Sequence, residues 1–259
     1  MKNLSRILIP LLLGSLPLSA DTADTINLAR SFLGSESALN AVESVIYKGT
    51  LVTKALDAEG NPILNEDGTP AQTSASIEIV FAEPYYQRIR ISSPERTETT
   101  GLDDYEAWQR LENPSNPAQW RMTLLDTAQI RRLRANTWEN LSFFKGIERI
   151  GGDVEDQGMV TVDGKSLHKI AFNHGYGIIF YRFFDPVTGR LVKSETDTGA
   201  TIVESGENRI AGVRFPNQVV TTTTRPDGSV QTVQVDFESV EVNKDVSREM
   251  FRVPSITRQ

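Results

Sequence analysis

The spacing of hydrophobic positions changes character along this chain. Residues 24–43 carry Ile26, Leu28, Ala29, Phe32 and Leu33 at helical intervals, and Gly34 can end that helix. A second short turn, Ser37 to Val42, runs into Val45-Ile46-Tyr47. From there the period becomes two. Ile77, Ile79 and Phe81 alternate along one run, and after Pro84 Ile89 and Ile91 oppose Arg88 and Arg90 on the next. Antiparallel pairing of these runs places Ile77, Ile79, Phe81, Ile89 and Ile91 on one dry face. Turn signals separate the strand-like runs at Asn65-Glu66-Asp67-Gly68, Asp163-Gly164, Asp185-Pro186-Val187-Thr188-Gly189 and Pro226-Asp227-Gly228. Residues 178–184 are largely apolar on both phases, as in a strand covered on both faces. Near the C-terminus Val233, Val235 and Phe237 fall on odd numbers but Val240 and Val242 on even ones, so a bulge at Glu238-Ser239 is expected. One segment reverts to the helical period. Asp126 can cap a helix running to about Phe144, with Ile130, Leu133, Trp138 and Leu141 on one side and Lys145-Gly146 as a stop. The fold class is therefore mainly β with flanking helices, an antiparallel sheet with an N-terminal helix and a central helix packed on it. No linker or repeat divides it, so 21–259 reads as a single domain.

The first twenty residues fall outside this pattern. Lys2 and Arg6 precede a short apolar stretch, Ile7 to Leu13, and Leu18-Ser19-Ala20 supplies a small residue for cleavage. This is the pattern of a secretory signal peptide, and the stretch is too short to span a bilayer. Residues 1–20 are expected to be removed near Ala20, leaving a periplasmic protein that is not integral to the membrane. No Cys follows to be lipidated. The whole chain has a formal charge of −7; loss of two basic and no acidic residues takes the mature chain to −9. That excludes the basic footprint nucleic acid requires. With no cysteine at all, an exported chain must rely on its core and its sheet for stability.

Catalytic motifs are missing. The two histidines, His168 and His174, would lie about 20 Å apart on an extended chain, and read as a surface and a turn histidine with no shared metal. Gly164-Lys165-Ser166 lacks the preceding glycine of a phosphate loop, since that position is Met159. There is no GxSxG and no cysteine nucleophile. The acidic pairs Asp103-Asp104 and Asp153/Glu155/Asp156 read as solvated loops, and Asp57-Ala58-Glu59-Gly60-Asn61 as a hairpin tip rather than a calcium loop. Arg131, Arg132 and Arg134 read either as a solvated helix face or as a contact for an anionic head group or partner.

Several segments, taken in order, resemble the outer-membrane lipoprotein-sorting (LolA/LolB-like) superfamily. They are Gly34 through Tyr47-Lys48-Gly49, Glu83-Pro84-Tyr85-Tyr86-Gln87-Arg88-Ile89-Arg90, Asp104 to Trp108, Phe180 to Gly189, Gly212-Val213-Arg214-Phe215-Pro216, Val240 to Val246, and Met250-Phe251-Arg252-Val253-Pro254. The resemblance covers nearly all of the mature chain. It implies a curved half-barrel of about eleven antiparallel strands closed by helices, no cofactor and no catalysis. Its concave apolar face would receive acyl chains of lipid or lipoprotein, with Ile77, Ile79, Phe81, Ile89 and Ile91 as ligand contacts. In the carriers of that family an Arg before the corresponding proline helps latch the lid; here the position is Glu83, so that role does not carry over. Two functions are compatible with such a fold: a carrier or binder of acyl chains, and an envelope protein that binds a protein partner or senses exposed lipid. A filled hollow is the opposing structural expectation, with Trp138, Phe143 and Phe144 as the fillers.

Overall fold

The computed structural model describes residues 21–57, 61–225 and 227–255. The export segment expected at 1–20 lies outside the described residues, as do Ala58 to Gly60 and Pro226 of two expected turns. Two helices open the described residues, α1 (Thr22–Leu33) and α2 (Glu36–Asn40). Six strands follow: β1 (Ser44–Lys54), β2 (Gln72–Ala82), β3 (Tyr86–Ser92), β4 (Thr97–Asp103), β5 (Glu106–Asn113) and β6 (Asn116–Leu124). The central helix α3 (Thr127–Leu141) leads into a 3₁₀ turn and then β7 (Asp153–Val162), β8 (Lys165–Asn173), β9 (Ile179–Phe184), β10 (Leu191–Thr196) and β11 (Ala200–Ser205). The last strands are β12 (Asn208–Ile210), β13 (Val213–Phe215), β14 (Gln218–Thr224) and β15 (Val230–Val242).

Thirteen of these strands form one antiparallel sheet in the order β6-β5-β4-β3-β2-β1-β15-β14-β11-β10-β9-β8-β7, while β12 and β13 pair separately. The sheet runs to thirteen strands where the resemblance implied about eleven. Its order is nearly that of a meander: β15 returns to pair with β1 and joins the two halves. The ends of the order, β6 and β7, do not meet, so the sheet stays open.

The expected bulge is present. Lys48 pairs with Ser239 and Gly49 with Phe237, which leaves Glu238 as the extra residue on β15. Glycine is required opposite it, because a Cβ on Gly49 would lie 2.0 Å from the Asp236 carbonyl oxygen. The slip realigns Val240 and Val242 with Tyr47 and Val45, on the concave face, while Phe237 and Val235 hold that face on the other side.

Helix α3 starts where the sequence placed it. Asp126 accepts from the Gln129 backbone N–H while the Gln129 side chain accepts from the Asp126 N–H, closing a capping box. It ends at Leu141, earlier than Phe144, because Phe143 and Phe144 take left-handed backbone with φ of 49° and 68°. Those two residues turn the chain and bury both rings in the concave core.

The concave side of the sheet carries two apolar clusters. One joins Ala29, Ala135, Trp138 and Phe144 to Ile170, Phe172, Phe180 and Phe184. The other joins Leu39, Leu141 and Phe143 to Val45, Tyr47, Phe81, Phe215 and Val240. Leu33 touches both. The convex side has a smaller cluster in which Phe251, from the C-terminal segment, packs on Val80 and Ala82.

Candidate functional site

Between the two concave clusters lies a hollow of about 860 Å³. Its floor is the sheet, with Tyr47, Ile79, Phe81, Ile89, Val235 and Phe237 on one flank and Phe180, Ile202, Val219 and Thr221 on the other. Its roof is helical: Phe32 and Leu33 of α1, Asn136, Glu139 and Asn140 of α3, and Phe143 and Phe144 beyond it. Thus Phe143 and Phe144 wall the hollow without filling it, and Trp138 is packed into the neighbouring cluster. Cross-strand register explains the floor. Tyr47 opposes Ile79, and Ile79 opposes Ile89, so three adjacent strands present apolar side chains in one row. Of the five positions expected to contact ligand, Ile79, Phe81 and Ile89 line the hollow; Ile77 and Ile91 pair with each other on the same face but are not among its lining residues.

One buried cluster pairs charge inside the hollow. Arg182 projects from β9 and is buried; its Nη2 donates to Glu139 Oε2 at 2.5 Å and its Nη1 to Ser194 Oγ at 2.6 Å. Glu139 Oε1 lies 2.8 Å from His174 Nε2, and Trp138 stands edge-on to that imidazole. The roof helix is therefore bonded to the floor through a buried Arg–Glu–His cluster, whose value depends on each charge keeping its partner. A second carboxyl, Glu204 of β11, also lines the hollow. Burial pushes it above the ordinary carboxylate range, an effect that Arg182 only offsets in part.

Other ties fix the roof at its ends. Arg30 of α1 is 1% exposed and engages every side of its guanidinium. It donates to both carboxylate oxygens of Glu36, to Asn40 Oδ1, and to the Ser142 and Phe143 carbonyls at the end of α3. At the start of the sheet, Arg134 of α3 bonds Asp104 and stacks on the Tyr85 and Tyr105 rings at 3.8 and 4.2 Å. The sequence resemblance pointed to a latch arginine before Pro84, where this chain has an exposed Glu83. Arg134 of α3 reaches Tyr85, the residue after Pro84.

Three readings made from the sequence are corrected. The arginine cluster is solvated only in part and is not a free anion contact: Arg131 is exposed and stacks on the exposed Tyr176 ring, but Arg132 forms a bidentate pair with Asp197 and Arg134 is held as above. Asp103 is not on a solvated loop; it is buried at the end of β4 and accepts from Arg248. His168 is not a surface residue but 1% exposed. Its Nδ1 is 2.7 Å from the Thr25 hydroxyl and its Nε2 2.8 Å from Asp156 Oδ1. Hydroxyl, imidazole and carboxylate in a row are the parts of a nucleophilic triad. Yet Thr25 is 2% exposed and neither it nor His168 lines the hollow, so the row pins α1 to the sheet. Among the described residues no group of three His, Asp or Glu side chains could hold a metal.

Sequence reasoning missed Glu139, Arg182, Glu204 and Arg30. Arg182 left a trace, as the one charge within the apolar run 178–184. The others sit in ordinary amphipathic context, and only the fold turns them inward.

An open antiparallel sheet whose concave, helix-roofed face encloses an apolar hollow is the LolA-like architecture. Solved structures share it, among them the following three. The LolA superfamily protein of Nitrosomonas europaea aligns with a TM-score of 0.52 at 12% identity, covering 87% of this chain and 97% of that one. An outer membrane lipoprotein-sorting protein domain from Vibrio parahaemolyticus gives 0.53 at 9% identity, over 87% and 95%. A DUF1329 family protein from Desulfovibrio piger gives 0.52 at 11%, over 89% and 96%. No protein-family model and no curated protein matches the chain. No helix among the described residues is long and apolar enough to cross a membrane.

Proposed function

We propose that this chain is an exported carrier or binder of the acyl chains of lipid or lipoprotein, held in the hollow between sheet and roof, and that it is not an enzyme. The 860 Å³ apolar hollow carries this reading. It is of ligand size and lies between a sheet face and two helices, where apolar ligands are commonly held. An acyl chain placed there would gain roughly 0.8 kcal/mol per CH₂ removed from water. The fold shared with a lipoprotein-sorting domain supports the same reading. Export to the periplasm is part of it: helix α1 begins beside Asp21, at the expected cleavage point. N-terminal sequencing of protein from the cell envelope should therefore begin at or near Asp21.

The direct test is mass spectrometry of organic extracts of the purified protein, which should yield acyl lipid in stoichiometric amounts. The expected contacts are Ile79, Phe81 and Ile89, with Ile77 and Ile91 extending the same face. Ile89→Glu should weaken binding of a fluorescent lipid analogue at least tenfold while melting near wild type, because a carboxylate beside acyl chain is unfavourable. A folded variant that binds as wild type does removes this face as the ligand site.

The open sheet supports a second reading, an envelope protein that binds a protein partner. Edge strand β6 presents Trp120 and Leu124 with 41% and 66% of their surface exposed, and a free edge can accept a strand. Recovery of one stoichiometric partner, cross-linked at β6 in the envelope, would favour it over the carrier.

A further inference from the structure

Two polar side chains face the hollow without a hydrogen bond among the described residues. Tyr47 is 7% exposed, and its ring is packed against Phe237 and Phe215 at centroid distances of 4.7 and 6.1 Å. Among the described residues its hydroxyl makes no hydrogen bond, and neither does the carboxyl of Glu204. Both residues line the hollow and lie within electrostatic reach of one another, on strands β1 and β11. The fully buried side-chain atoms without a partner among the described residues are Gln87 Nε2, Arg110 Nε, Ser142 Oγ, Arg182 Nε and Asn208 Nδ2; the Tyr47 and Glu204 oxygens instead open on a ligand-sized space, where a ligand's own polar group can reach them. Arg182, also in electrostatic reach of Glu204, uses two of its five N–H donors on Glu139 and Ser194.

We infer that the Tyr47 hydroxyl and the Glu204 carboxyl form a polar subsite inside the hollow for the neutral, hydrogen-bonding head of an acyl lipid, such as a glycerol ester, and that the site prefers it to a fatty-acid anion. This rests on the reading of the hollow as an acyl-chain site and adds the chemistry of the head group. Charge decides for a neutral head. Two of the three basic side chains lining the hollow are already taken, Arg182 by Glu139 and Arg214 by Glu207. The third, Arg190, is exposed at the rim beside Asp185. An added carboxylate near Tyr47 would meet Glu204, whereas Arg190, the one lining cation without an ion pair among the described residues, is exposed to solvent. Burial also favours the protonated form of Glu204, which can donate to an ester carbonyl or accept from an alcohol. A glycerol ester offers both groups.

The test uses delipidated mature protein at pH 7.5 and displacement of bound Nile red by three probes with equal chains: monodecanoylglycerol, decanoate and decane. Monodecanoylglycerol should displace the dye at about tenfold lower concentration than decanoate, the factor expected of one or two neutral hydrogen bonds. Tyr47→Phe, which removes one oxygen and keeps the ring packing, should abolish most of that preference without changing displacement by decane. Glu204→Leu should do the same, whereas Glu204→Gln, a neutral donor and acceptor, should retain it to within about threefold. Thermal melting confirms that each variant is folded. Equal displacement by monodecanoylglycerol and decanoate, or a preference unchanged in Tyr47→Phe and Glu204→Leu, overturns the polar subsite while the acyl-chain site stands. If no probe displaces the dye, the acyl-chain reading fails with it.

Discussion

Arg30 shows how one side chain can hold two helices in place. Its guanidinium spans α1, α2 and the last carbonyls of α3, groups that would otherwise be orphaned at a buried helix end. Arg30→Met should lower the unfolding free energy by about 2–4 kcal/mol, measured by urea denaturation, since the exposed carbonyl and carboxylate partners recover water only in part. The same contact leaves a pH signature. Hydrogen bonding to Arg30 draws the Glu36 carboxyl down to about 2 from an ordinary 4.5. A depressed carboxylate stabilises the fold above pH 4.5, and that contribution is lost as the pH falls from 4.5 to about 2. Wild type should lose stability over that window, and Arg30→Met should lack this part of the loss. Glu36 is half exposed, so solvent screening keeps the effect small. The Arg182–Glu139 pair behaves differently because both side chains are buried. Glu139→Leu strands a guanidinium in an apolar roof and should cost about 3–5 kcal/mol; Glu139→Leu with Arg182→Met should restore most of it.

At the scale of elements, the roof is a separable layer. Helix α3 has few strong helix-forming apolar residues and gains its stability from its cap and its contact with the sheet. Asp126→Ala removes the half of the capping box in which its carboxylate accepts from the Gln129 N–H, leaves its own backbone N–H to the Gln129 side chain, and should destabilise the protein by about 1 kcal/mol in thermal melting. Amide exchange should accelerate first in the opening turns of α3 rather than across the sheet. The element boundaries were mostly legible. Asp126, Gly34 and the bulge at Glu238 were readable because capping, helix termination and strand phase are local. The end of α3 was not, since the left-handed turn at Phe143 and Phe144 is set by where two aromatic rings must be buried.

For the molecule as a whole, the open sheet needs cover on both faces. Helices cover the concave side, and the C-terminal segment covers part of the convex one. There Phe251 is 1% exposed, stacks on Tyr86, and its carbonyl accepts from Trp108 Nε1 at 2.8 Å. Arg248 adds a pair with buried Asp103. Phe251→Ala should cost about 3–5 kcal/mol by leaving a cavity against Val80 and Ala82. Binding of an acyl probe in the opposite face should persist in whatever fraction stays folded, because Phe251 does not line the hollow. Equilibrium denaturation and probe titration on the same sample check both.

By itself the sequence determined the layers of this protein: an antiparallel sheet with one dry face, a leading helix, a capped central helix, and the row that contains Ile79, Phe81 and Ile89. Those features follow from period, capping and turn chemistry, which act between residues close in the chain. Only the tertiary structure decided that the dry face encloses a hollow instead of a filled core, because that depends on how far the roof stands from the floor. It also decided the fate of the charges. Glu139 meets Arg182 across 43 positions, Arg30 meets Phe143 across 113, and His168 meets Thr25 across 143. No local pattern encodes such pairs; they form because the curved sheet and its helical roof bring remote strands and helices into one enclosed, low-dielectric space, where an unpaired charge is too costly to keep.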